Sequence, residues 1–224
     1  MGVAVQGATA LGAAVSAVVA VAVLVVVAVS AVAVVAILAV VARPETGNNM
    51  LNFLKTIARH LWLDASDANR VIPVDMLTRL CARVRASEAR HLGEIRIDIE
   101  ESMPLSYLWR LGTDCPMKAL IRQRALMRFS KLRVWDTGQN SGVLIYLQLA
   151  EKAIEIVADR GLAAVPQSEW QAMVLRMQQN FQQNRYEDGL TQALEEVSAL
   201  LVAHFPAGAD QNRRNELPNE PTLS

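Results

Sequence analysis

The chain has 224 residues, 52% of them hydrophobic, with 22 Lys+Arg balanced by 22 Asp+Glu and only two cysteines. These values exclude a polytopic membrane protein, a largely disordered chain and a disulfide scaffold. A net charge of zero gives no electrostatic footprint for nucleic acid, and none is expected as a partner.

The apolar residues are unevenly spread. Residues 1–42 carry no charge, and Val and Ala supply 30 of the 42 positions. About 20 apolar residues suffice to cross a bilayer, so residues 17–41 are expected to form a transmembrane helix. No Lys or Arg precedes this run, and it is too long for a signal-peptide core. Arg43, Lys55 and Arg59 follow it, which puts the main domain in the cytoplasm by the positive-inside rule. The alternative is translation from Met50, giving a soluble cytoplasmic protein.

Residues 43–71 read as a linker followed by a short amphipathic helix. Leu51, Leu54, Ile57, Ala58 and Leu61 recur at helical spacing, which suits either a membrane surface or docking on the chain's own domain. Residues 72–206 form the main domain. Pro73 opens a helix to about Ala89. The stretch "EIRIDIE" alternates cleanly, predicting a strand with Ile95, Ile97 and Ile99 covered and with Glu94, Arg96, Asp98 and Glu100 on a wet or functional face. Residues 104–114 are irregular or briefly helical. Pro116 opens a helix to about Arg133, whose six basic residues spread around the wheel as a solvated face. The run "VLIYLQL" (143–149) predicts a central strand buried on both faces. A short turn at Ala150–Lys152 then predicts an antiparallel hairpin with "AIEIVAD". Two helices follow, built on Trp170, Met173, Met177 and Phe181 and on Leu190, Leu194, Val197 and Leu201. Residues 207–224, polar with two prolines, read as a disordered tail.

The first strand-helix-strand passage should be a right-handed parallel crossover. The fold class expected is α/β: a compact α/β/α sandwich with a small mixed sheet, preceded by the N-terminal apolar helix.

Several ordered pieces resemble the TPM domain family. They are "GEIRIDIE", the helix ending "FSKLRVWD", "NSGVLIYLQLAEKAIEIVADRGL", and a helix pair containing "NRYEDGL" and ending "LLVAHFP". The resemblance covers about Ile72 to Pro206. It implies an α/β/α sandwich, a frequent transmembrane segment, and either an accessory role at membranes or divalent-metal binding with acid phosphatase activity. The chain departs from the family in two places. It has only Asp75 in "VIPVDM", where relatives often show an aspartate pair, and it reads Val165-Pro166-Gln167 where they often end in an aspartate.

Hairpin geometry suggests a candidate metal site. The start of one strand lies beside the end of the next, so Asp136, Asn140 and Asp159 should cluster at one rim. Oxygen ligands from two loops suit Ca²⁺ or Mg²⁺, and such a cation orients and polarises phosphate. The alternative is that these side chains cap turns. Trp135 sits beside this rim and is a candidate to close a pocket against Asp136. Asp98, Glu100 and Glu101 lie at the opposite end, as a solvated strand end or a second acidic site. His60, His91 and His204 have no ligand-like spacing. Cys81 and Cys115 read as reduced thiols. The function expected is a membrane-anchored interaction or accessory module with a protein partner of unknown identity. The alternative is a metal-dependent acid phosphatase acting on phosphoesters.

Overall fold

The computed structural model describes residues 47–62, 65–111, 115–207 and 215–224. The predicted span at 17–41 lies outside the described residues. No helix among the described residues is long and apolar enough to cross a membrane. The chain divides into two compact units, Met1–Leu54 and Lys55–Ser224. Of the first, the described part is the opening of helix α1 (Gly47–Trp62).

In the second unit, α2 (Ala65–Val71) and α3 (Val74–Glu88) lead to strand β1 (Glu94–Glu100). Then come α4 (Leu105–Leu108), α5 (Met117–Lys131), β2 (Gly142–Gln148) and β3 (Ala153–Ala158). A 3₁₀ turn (Arg160–Leu162), α6 (Gln167–Gln182), α7 (Tyr186–His204) and the short β4 (Thr222–Leu223) complete it. Pro73, Pro104, Pro116 and Pro166 immediately precede α3, α4, α5 and α6. Each proline is fixed near the required φ and brings no orphan N–H to the helix start, while its carbonyl accepts the first turn's bonds.

The sheet is mixed, in the order β3-β2-β1-β4. β1 and β2 are parallel, from Glu94 opposite Gly142 to Glu100 opposite Gln148. β2 and β3 are antiparallel through the tight turn, as the short connection requires. One core packs α3, α6 and α7 against Ile95, Ile97, Ile99, Val143, Ile145 and Leu147. A smaller core on the other face gathers α4 and α5 residues around Leu144, Tyr146 and Val157. The alternate side chains of β2 thus enter two different cores, which is why its sequence is apolar throughout.

Three expectations are corrected. The tail after 207 is not structureless among its described residues: Thr222–Leu223 pair in parallel with Asp98–Ile99, adding a fourth strand. The polar face of β1 is not wet, since all seven of its residues are buried. The basic helix α5 is not a purely solvated face, since Arg124 and Arg128 are buried.

Helix α1 docks on its own domain through its second half. Ile57 and His60 are buried. His60 Nδ1 accepts the Met103 N–H at 3.0 Å, so Nε2 carries the proton toward Glu151 Oε1, also at 3.0 Å.

Two glycines permit close backbone approach. A Cβ at Gly142 would lie 1.9 Å from the Val134 carbonyl oxygen, and one at Gly161 would lie 2.5 Å from that of Asn140. Backbone cannot yield as a flexible side chain can. Gly142→Ala and Gly161→Ala should each destabilise the protein by about 1–3 kcal/mol or more, read as a lowered urea midpoint with an unchanged slope.

Candidate functional site

The charged face of β1 is assembled from two arginine forks. Arg128 Nε donates to Asp98 Oδ2 at 2.6 Å, and its Nη2 reaches Oδ1. Arg124 Nε donates to Glu100 Oε2 at 2.8 Å, with Nη2 on Oε1. The Tyr146 hydroxyl donates to Glu100 Oε2 at 2.5 Å, and the Arg124 guanidinium lies 5.1 Å from the Tyr107 ring centroid. Asp98 is 0% exposed, and the Arg128 fork with the Thr222 hydroxyl gives its buried oxygens partners.

The titrations follow from this packing. Hydrogen bonding to Asp98 holds the Arg128 guanidinium above its ordinary value. Burial pulls Arg124 down, but its bonds and charge contact with Glu100 outweigh that and raise it. Burial, then the neighbouring Glu100 charge, pushes the Tyr146 hydroxyl up. Both carboxylates of this network are held in two-pronged arginine contacts.

The rim at the start of β2 holds the three candidate ligands. Asn140 sits at φ 52°, a left-handed conformation that asparagine tolerates. Its Oδ1 accepts from Arg160 Nε at 2.8 Å, and its carbonyl accepts from Gly161 N at 2.9 Å. Asp159 Oδ1 caps the 3₁₀ turn by accepting from Arg160 N at 2.7 Å. Its other oxygen, Oδ2, is buried without a hydrogen-bond partner. Asn140 and Asp159 are therefore neighbours that share Arg160. Asp136 pairs instead with Arg133, three residues earlier. Trp135 is exposed. Among the described residues no three His, Cys, Asp or Glu side chains are grouped to hold a metal ion.

Residues 215–224 were missed as part of any site. Leu217 N donates to Glu94 Oε2 at 3.4 Å, and Arg96 Nη1 donates to the Pro218 carbonyl at 2.5 Å. Thr222 Oγ1 donates to Asp98 Oδ1 at 2.5 Å. The available signal was the polar alternation of β1, which required partners for both faces.

Removing one member of a buried pair strands the other. Asp98→Ala should cost about 3–5 kcal/mol by leaving Arg128 buried without its carboxylate. The double replacement Asp98→Leu with Arg128→Met should recover most of that loss, as measured by denaturant unfolding.

Residues 66–200 match the family model of the TPM domain. The fold is similar to the NMR structure of the BA42 protein from the psychrophilic bacterium Bizionia argentinensis, with a TM-score of 0.55 and 24% identity over 67% of this chain and 93% of that one. No curated protein matches the sequence. The order of elements, the parallel β1–β2 pair with its antiparallel hairpin, and the family match over most of the second unit establish that the chain belongs to the TPM domain family.

Proposed function

We propose that this TPM domain acts as an interaction or accessory module for a protein partner, held at the cytoplasmic face of a membrane by residues 17–41. One observation carries the module reading. Asp98 and Glu100, toward the C-terminal end of the parallel strand β1, where open α/β sheets bind ligands, are both engaged by arginine forks. A cation or substrate at these carboxylates would have to displace a two-pronged arginine contact from each. The membrane reading rests on the uncharged Val/Ala leader and the basic residues that follow it.

A second reading is favoured by the unpartnered Asp159 Oδ2. In it, Asp136, Asn140 and Asp159 hold Ca²⁺ or Mg²⁺ and the domain hydrolyses phosphoesters. That reading requires Arg133 and Arg160 to release Asp136 and Asn140.

Turnover of p-nitrophenyl phosphate by the purified chain, with and without each cation, separates the two. The module reading expects no metal-stimulated turnover and flat calorimetric titrations. Metal-stimulated turnover lost in both Asp136→Ala and Asp159→Ala would replace it with the phosphatase. Separately, full-length protein should remain in the membrane pellet after a carbonate wash. Recovery in the supernatant refutes the anchor without touching the module.

A further inference from the structure

The matched family residues end at 200, yet the outer edge of β1 is covered by residues 215–224. The domain supplies a strand edge, and a segment beyond the matched residues fills it. We propose that the β1 edge is a peptide-recognition groove, occupied here by the chain's own Asn215–Ser224, and that it accepts an extended peptide of this sequence in trans. The proposal deepens the module reading and rests on it.

The groove reads the segment at successive positions of β1. Glu94 accepts the Leu217 N–H, Arg96 donates to the Pro218 carbonyl, and Asp98 accepts the Thr222 hydroxyl. Ile99 O accepts from Ser224 N at 3.0 Å, and Glu101 N donates to Ser224 O at 2.8 Å. These are the main-chain bonds of strand addition combined with side-chain selection. Leu217 is the apolar anchor, 6% exposed within the α4–α5 core. Asn219 is also buried and donates to Glu88.

The segment is built to be exchangeable. Its ladder with β1 is only two residues long, against seven between β1 and β2. So short a strand is held by its anchors rather than by sheet pairing. Pro218 and Pro221 restrict the free segment and lower the entropy lost on docking. The segment is covalently part of the domain, so in cis it competes with a peptide in trans without the cost of a bimolecular encounter. A partner carrying the same pattern gains access when this strand is displaced.

The test uses a fluorescent peptide of residues 215–224 and anisotropy. A chain ending at Ala207 should bind it saturably, and the full chain should bind it at least about tenfold more weakly because its own segment competes. A peptide carrying Leu217→Asp should lose about tenfold or more in affinity. A folded chain ending at Ala207 that ignores the peptide at about 1 mM overturns the proposal. Should that chain not fold, the full chain carrying a protease site within 208–214 is folded first and then cleaved. Exchange of its segment for labelled peptide supports the groove, and failure to exchange sinks it. Peptide failure alongside absent phosphoester turnover defeats the groove alone, whereas metal-stimulated turnover defeats the module reading beneath it.

Discussion

The paired forks Asp98–Arg128 and Glu100–Arg124 set the geometry of the domain. Two residues along a strand span about 6.6 Å and four along a helix about 6.0 Å. Acids at i, i+2 on β1 therefore match arginines at i, i+4 on α5. The pairing is reversed in order, the later acid meeting the earlier arginine. The helix must then run antiparallel to the strand, which is what a crossover between two parallel strands demands. Buried ion pairs add little net stability because desolvation offsets their attraction. Their effect here is on register: a slide of α5 by one turn would leave a carboxylate and a guanidinium buried without partners.

The elements that sequence reasoning located are those whose pattern is local. "VLIYLQL" is apolar at every position because both faces of β2 meet a core. The short turn left the hairpin no parallel option. The alternation in "EIRIDIE" located β1 but suggested a solvated face, since alternation ordinarily means one side in water. Its partners lie 24 to 30 residues along, and over 120 residues along in the tail. The basic residues of α5 looked like scattered surface charge. Only the matching spacings, two on the strand and four on the helix, carried the signal. The polar, proline-containing tail resembled disorder because its stability comes from tertiary anchors, which composition does not reveal.

The candidate rim shows the same division between local and distant competition. Hairpin geometry placed Asn140 beside Asp159, and both are shaped by the backbone around Gly161. Asp136 pairs with Arg133, three residues earlier on a tight turn. That ion pair is exposed and contributes little to stability, yet it decides where the carboxylate points. Asp159 is different. One oxygen caps a turn, and the other is buried without a donor. An acceptor in that condition costs about 1–3 kcal/mol, which makes it the one feature of the rim that turn capping does not explain.

The two sheet edges explain how the domain avoids indiscriminate strand pairing. An open edge is a template for any extended chain. On β3, Arg122 donates to the Ile156 carbonyl at 2.7 Å and to Glu155 at 3.1 Å. A charge directed at the strand's own backbone removes a docking position there. Burial raises the Glu155 carboxyl above its ordinary value, and only the Arg122 contact, with help from Lys118, offsets this. On β1 the protection is of another kind, a segment of chain bound through anchors rather than a charge placed on the edge. A charge protects an edge by occupying a backbone acceptor that an incoming strand must win, as Arg122 occupies the Ile156 carbonyl. A docked strand protects it conditionally, to the extent that it outcompetes alternatives. The segment-covered edge is β1, which is where the proposed peptide exchange belongs.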